Sequence, residues 1–222
     1  MISKTDEKVL NRMELEIALT LPDDLTVEAV HDWLQNQPHL RYVRTTALTN
    51  IYFDTETQDL KKQKAALRLR FDDDKNQWLQ TLKTAGKTDD GISIRHEWEN
   101  PLTDANINLT AFEPAAQNYL AAYINRLTPV FETNFERRIY HYEHNGEIHE
   151  YAIDHGAVWR TNQERNVGIY ELEIELKQGS AEHLRLLASQ AQIQLNAHPQ
   201  TKSKAARGYE LLDEAHNRSN LD

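Results

Sequence analysis

The feature that most constrains this 222-residue chain is period-2 alternation. Across Met13–Thr20, Leu15, Ile17 and Leu19 alternate with Glu14, Glu16 and Ala18, the pattern of a strand with one buried face. In Ala66–Phe71, Leu67, Leu69 and Phe71 oppose Arg68 and Arg70. In Ile92–Glu99, Ile92, Ile94, His96 and Trp98 oppose Ser93, Arg95, Glu97 and Glu99. Arg41–Asp54 reads as one or two strands, and Gln77–Thr84, Phe131–Glu143, Glu147–Trp159 and Gly168–Lys177 as one each. Asn145-Gly146 is the strongest hairpin signal. Gly86–Gly91 reads as a loop and Pro101–Asn108 as irregular. Helical spacing appears in Thr26–Asn36 with Thr26 as N-cap, in Pro114–Arg126, in Ser180–Gln194 and in Thr201–His216. Antiparallel hairpins with helices between them give an α+β class. Many strands of similar length favour a closed or strongly curved sheet, because closure removes exposed edges.

Composition excludes several classes. A formal net charge of −10 argues against a duplex nucleic-acid binder, which needs a basic face to displace counterions. It leaves room for a local cationic pocket. The chain has no cysteine, so disulfides, thiolate nucleophiles and Cys-ligated zinc are ruled out, consistent with a reducing compartment. No apolar run reaches the ~18 residues of a membrane span, and the charged N-terminus lacks a signal-peptide core. A cytoplasmic protein, monomeric or homodimeric, is expected.

The faces opposite the apolar ones are segregated by sign. Glu14 and Glu16 lie on one face of one strand, about 7 Å apart. Glu171, Glu173 and Glu175 form a row on another, Arg68 and Arg70 share a third, and Lys83 lies on the next strand. Cross-strand ion pairs on a solvated face would be worth only about 0.5 kcal/mol each. Rows of like charge repel unless opposite charge sits over them. A hard divalent cation suits carboxylate rows, and a phosphate chain suits Arg and Lys. Facing each other in one lumen, the two sets point to metal-assisted phosphoryl chemistry. There is no Walker-type or G-x-G-x-x-G loop. The histidines His141, His144, His149 and His155 show no zinc-like spacing.

At these residues the chain resembles the CYTH superfamily, the triphosphate tunnel metalloenzymes, in wording most like bacterial inorganic triphosphatases. The resemblance runs through MELEI from Met13, YFDT from Tyr52, ALRLR from Ala66, QTLKTAG from Gln80 and RHEWE from Arg95. It continues through FER from Phe135, DHG from Asp154, ELEIELK from Glu171 and KSKAARGY from Lys202. It implies a closed antiparallel eight-stranded β-barrel with flanking helices, in a single domain over residues 10–216 with no following helical CHAD domain.

By the same resemblance, Glu14 and Glu16 fill the acidic positions of the family's E-x-E-x-K signature. Arg68, Arg70, Lys83, Arg137 and Lys204 match its phosphate-binding cations. Glu14, Glu16, Asp154, Glu171 and Glu173 match metal-site acids, and Glu97 a further tunnel acid. Glu14, Glu16, Lys83 and Arg137 are the implied catalytic set, with Mg²⁺ or Mn²⁺ as cofactor. Arg138 is the alternative to Arg137, since a strand puts the two on opposite faces; Arg95, Glu175 and Lys177 line the tunnel or its outside. One departure stands out: Ala18 replaces the signature lysine. The implied function is hydrolysis of inorganic triphosphate to pyrophosphate and phosphate. The alternatives are thiamine-triphosphatase or class IV adenylate cyclase activity, or binding of polyphosphate or nucleotide without turnover because of Ala18.

Overall fold

The computed structural model describes residues 13–160 and 165–219. Residues 10–12 and 161–164 of the expected domain lie outside the described residues. The strands are β1 (Met13–Thr20), β2 (Leu40–Asp54), β3 (Ala66–Asp72), β4 (Gln77–Lys83), β5 (Lys87–Asp89), β6 (Ile92–Leu102), β7 (Thr128–His144), β8 (Glu147–Arg160), β9 (Asn166–Gln178) and β10 (His198–Pro199). The helices are α1 (Val27–Gln35), α2 (Asp59–Lys62), α3 (Pro114–Leu120), α4 (Ala181–Leu195) and α5 (Lys204–Ser219).

Every strand pairing among the described residues is antiparallel, and the sheet order is β10-β1-β9-β8-β7-β2-β3-β4-β6-β5. β1 also pairs with β6, from Met13↔His96 to Glu16↔Ser93, and this closes eight of the ten strands into a barrel. β5 and β10 pair on one side only. Closure satisfies both edges of the eight-stranded wall.

Local chemistry sets the joints. Thr26 Oγ1 accepts from Ala29 N at 3.1 Å and starts α1, as its sequence position suggests. Asn145 and Gly146 take φ of 51° and 82°, the geometry of a tight hairpin whose twist matches its strands. Ser203 Oγ accepts from Ala206 N at 3.1 Å, so α5 begins at Lys204 rather than at Thr201. Arg41–Asp54 is one long strand, held by β7 along its whole length. Two irregular stretches are partly ordered by pairing instead. Lys87–Asp89 adds to β6, and β6 runs on to Leu102 because Trp78 of β4 pairs with it. Pro114–Arg126 is not one helix; α3 ends at Leu120 and a 3₁₀ turn over Ile124–Arg126 follows.

The apolar faces point outward, against helices. Leu19, Ile153, Leu172 and Ile174 pack under α1 and α4 through Val30, Leu34, Leu184 and Leu187. Leu67 and Leu82 pack under α2 and α3 through Leu60, Ala116 and Leu120. Each fully buried Leu or Ile is worth about 1.5–3 kcal/mol. The inner wall is therefore free to be charged. At one end it turns apolar: Tyr52, Phe131, Phe135, Val158 and Ile169 share the inward parity and pack on Tyr209 and Leu212 of α5. α5 thus plugs that end and brings Lys204 and Arg207 to the charged wall. No helix among the described residues is long and apolar enough to cross a membrane.

Candidate active site

The inward parity gathers the segregated charges around a cavity of about 750 Å³. Glu14, Glu16, Arg68, Arg70, Lys83, Glu97, Arg137, Glu171, Glu173 and Lys204 all line it. Asp154 does not; it is fully buried behind Arg137 and Lys204. Arg95, Glu175 and Lys177 line the cavity as well. Arg138 points outward, to Glu28 at 2.8 Å and Glu136 at 3.1 Å, so Arg137 is the tunnel residue.

On the acidic side, Lys83 Nζ donates to both Glu14 oxygens at 2.5 and 2.7 Å. Arg95 pairs with Glu16 through its guanidinium and lies 3.4 Å from Glu14. Burial pushes the Glu14 carboxyl up, but Lys83 and Arg95 outweigh it and hold it at about 2. Burial and the adjacent Glu14 charge push Glu16 up to about 7. Lys83 and Arg95 therefore neutralise one carboxylate of the pair well and the other incompletely.

Deeper in, Arg137 grips Asp154 with two bonds, Nε at 2.7 Å and a terminal nitrogen at 2.6 Å, and reaches Glu173 at 2.5 Å. Lys204 Nζ lies 2.7 Å from both Asp154 and Glu173 and also bonds Glu171. Arg207 adds a bond to Glu171 at 2.5 Å. Burial works against the charges of Arg137, Lys204, Glu171 and Glu173. Lys204 and Arg137 nonetheless hold Glu173 well below the usual carboxylate range, while burial leaves Glu171 raised.

The opposite wall carries surplus positive charge. Arg68 is 3.9 Å from both Glu97 and Glu99. Arg70 donates from Nε to Asn50 Oδ1 at 2.7 Å and, among the described residues, forms no ion pair. Burial, then the nearby Arg68 and Arg137 charges, push the Arg70 guanidinium down to about 10. A guanidinium perturbed in this way by burial and like charge is one that a bound anion would stabilise.

The acids fit a hard cation. Asp154, Glu171 and Glu173 each offer an oxygen, and these atoms lie within 4.8 Å of one another. An all-oxygen set beside a carboxyl at about 7 is suited to Mg²⁺ or Mn²⁺.

Sequence reasoning missed Arg207 and Glu99. Arg207 follows Lys204 by three residues, one helical turn, so it shares the face that carries Lys204. Glu99 has the parity of Arg95 and Glu97 on β6. Ala18, where the signature lysine is missing, pairs with Glu173 across β9. The ammonium beside Glu173 is instead that of Lys204, delivered from α5.

The chain is 30% identical over 202 residues to an inorganic triphosphatase of Haemophilus influenzae, covering 89% of this chain and 54% of that protein. It thus spans about half the length of that relative. A proposed adenylyl cyclase from Hippeastrum, described as having a dominant triphosphatase activity, superposes with a TM-score of 0.65 at 19% identity, covering 89% of this chain and 95% of that one. A proposed adenylate cyclase from Bacillus halodurans superposes with a TM-score of 0.57 at 22% identity, covering 88% and 97%. The sequence pattern of the CYTH domain matches residues 13–209, and with the closed barrel and its charged lumen this places the chain in the CYTH domain family.

Proposed function

We propose that this protein is a metal-dependent triphosphatase that hydrolyses inorganic triphosphate to pyrophosphate and phosphate. The observation that carries the reading is the pair of unmet charges facing one cavity: Arg70, with no ion pair among the described residues, on one wall, and Glu16, incompletely neutralised, on the other. A polyanion with a divalent cation satisfies both.

Arg68, Arg70 and Arg137 bind the phosphate oxygens, and Lys83 sits where it contacts them once drawn from Glu14. Arg suits this role because its planar fork offers paired donors. Glu14, Glu171 and Glu173, with Asp154 behind them, would hold the metal, and Glu16 the attacking water. A bound Mg²⁺ or Mn²⁺ supplies Lewis-acid neutralisation of the phosphate oxygens. Glu16, with a carboxyl near 7, takes the proton of the attacking water as its oxygen bonds phosphorus and the bond to the leaving bridging oxygen breaks. The guanidinium groups offset the charge that gathers on the leaving pyrophosphate. Lys204 is locked against three carboxylates, which raise its ammonium pKa, and it offsets charge rather than donating a proton.

Phosphate release should be measured with tripolyphosphate, ATP and thiamine triphosphate, each with Mg²⁺ and Mn²⁺. Fastest turnover of tripolyphosphate supports the reading. Preference for thiamine triphosphate, or cyclic AMP made from ATP, would replace it with another reaction on this scaffold. Tripolyphosphate bound without turnover would make the protein a sensor.

A further inference from the structure

On the outer side of the barrel, away from the tunnel, β8 and the first turn of α4 bring together two imidazoles and a carboxylate. His149 Nε2 lies 3.0 Å from His183 Nδ1 and 3.3 Å from Glu147 Oε2, and His183 Nδ1 lies 3.4 Å from that same oxygen. A tetrahedron with metal–ligand bonds of about 2.0 Å has edges of about 3.3 Å. The three atoms already form one face of such a tetrahedron.

The surroundings hold them there. His149 is fully buried, and the Tyr142 ring packs against both imidazoles, with centroids at 5.7 and 5.5 Å. Ser180 N donates to both Glu147 oxygens at 3.2 and 3.0 Å, and Ser180 Oγ donates to one at 3.1 Å. Gly179 gives the carboxylate its place, since a Cβ there would overlap the Glu147 side chain. The side chains of His183 and Glu147 are 22% and 21% exposed, so the open side admits a fourth ligand from solvent.

Hydrogen bonds within the cluster engage only Nε2 of the His149 ring. His149 Nδ1 is buried without a hydrogen-bond partner among the described residues. If His149 carries its proton on Nε2, Nδ1 is an unmet acceptor; if on Nδ1, an unmet donor. Neither tautomer removes the cost. Metal binding at Nε2 takes the uncharged ring with its proton on Nδ1, and the full burial of His149 favours that uncharged ring.

We propose that Glu147, His149 and His183 bind a divalent transition-metal ion of the zinc class, with water as fourth ligand, clamping the start of α4 to the β7–β8 hairpin. Nitrogen donors set this site apart from the all-oxygen tunnel: they favour Zn²⁺, Co²⁺ or Ni²⁺ over Mg²⁺. The sequence concealed it because His183 comes from an element 34 residues beyond His149.

The test is Zn²⁺ binding to the purified chain by equilibrium dialysis with metal analysis, in a large excess of Mg²⁺ to occupy the tunnel. One Zn²⁺ per chain is expected. His183→Ala, in the first turn of a surface helix, should lower its affinity by more than the roughly 10–100-fold that loss of even an outer partner costs. The tunnel variant Glu173→Gln should keep it. Zn²⁺ should raise the melting temperature of wild type but not of His183→Ala, and Co²⁺ should give a visible absorption band that the variant loses. Zn²⁺ uptake unchanged in His183→Ala, or no uptake by wild type in excess Mg²⁺, would overturn the proposal.

Discussion

Replacing Arg70 with methionine is expected to stabilise the ligand-free protein while removing its hold on the substrate. In the folded chain the Arg70 guanidinium is moved from its ordinary 12.5 to about 10, through burial and the charges of Arg68 and Arg137. At 1.36 kcal/mol per pKa unit, holding that group charged costs about 3 kcal/mol, an upper value because the cavity admits solvent. Methionine keeps the bulk and drops the charge. It also orphans Asn50 Oδ1, which is fully buried and accepts from Arg70 Nε at 2.7 Å; that loss costs about 1–2 kcal/mol. The net gain is about 1–2 kcal/mol, or about 2–4 °C per kcal/mol for a chain of this size. Thermal and urea unfolding should be compared in phosphate-free buffer with chelator, with Arg70→Lys as the variant that keeps the charge. Tripolyphosphate should then stabilise wild type strongly and Arg70→Met little, and phosphate release should fall by about 10²–10³, as for loss of one preorganised donor. An Arg70→Met protein no more stable than wild type, and stabilised equally by tripolyphosphate, would refute the idea that this wall is held in electrostatic surplus.

Three further outcomes follow from the same cavity. Glu16 has a folded carboxyl at about 7 against an ordinary 4.5, so its protonated form stabilises the fold fully below about pH 4.5, and that contribution is lost as pH rises through about 7; Glu16→Gln should be more stable than wild type by about 3 kcal/mol at pH 8 in chelator and similar to it at pH 4, a gap read by urea titration. Lys204→Met leaves Asp154, Glu171 and Glu173 short of their shared cation and should cost about 3–5 kcal/mol in denaturant unfolding, with added Mn²⁺ recovering more stability than in wild type. Ala18→Lys adds a cation beside Glu173, which Lys204 and Arg137 already hold, so phosphate release should not rise; an increase of about tenfold, worth 1.36 kcal/mol of barrier, would show that the strand lysine had been needed.

The parity of charges was legible because a strand's period is 2 and each strand has one apolar face. Glu14, Glu16, Arg68, Arg70, Glu171 and Glu173 could each be assigned a face from their neighbours alone, and all of them face inward. Parity does not say whether an inner face closes on itself. That depends on the β1–β6 pairing, which joins Glu14 to a partner about eighty residues away and leaves no local trace. The same limit hid β5, which has no hydrophobic pattern and exists because β6 offers it an edge. It hid Arg207, whose meaning depends on where α5 docks, and it hid the meeting of His149 with His183. Side-chain direction was thus local information, whereas convergence was tertiary.

A tunnel lined by so many buried charges should be unstable on its own, and the architecture explains why it is not. Stability comes from the outward faces, where the barrel wall packs against α1 to α4, and from the apolar plug of α5. The inner wall need only avoid collapse, and internal ion pairs achieve that: Lys83 with Glu14, Arg137 and Lys204 with Asp154 and Glu173, Arg207 with Glu171. These pairs do not balance everywhere. Acid is in surplus around Glu16 and base around Arg70, on different strands of one cavity. An anion alone would satisfy Arg70 but repel Glu16; a divalent cation alone would do the reverse. Bound together, each neutralises the wall that repels the other. Affinity for the phosphate chain should therefore depend on the metal and affinity for the metal on the phosphate chain, and by linkage the two enhancements must be equal.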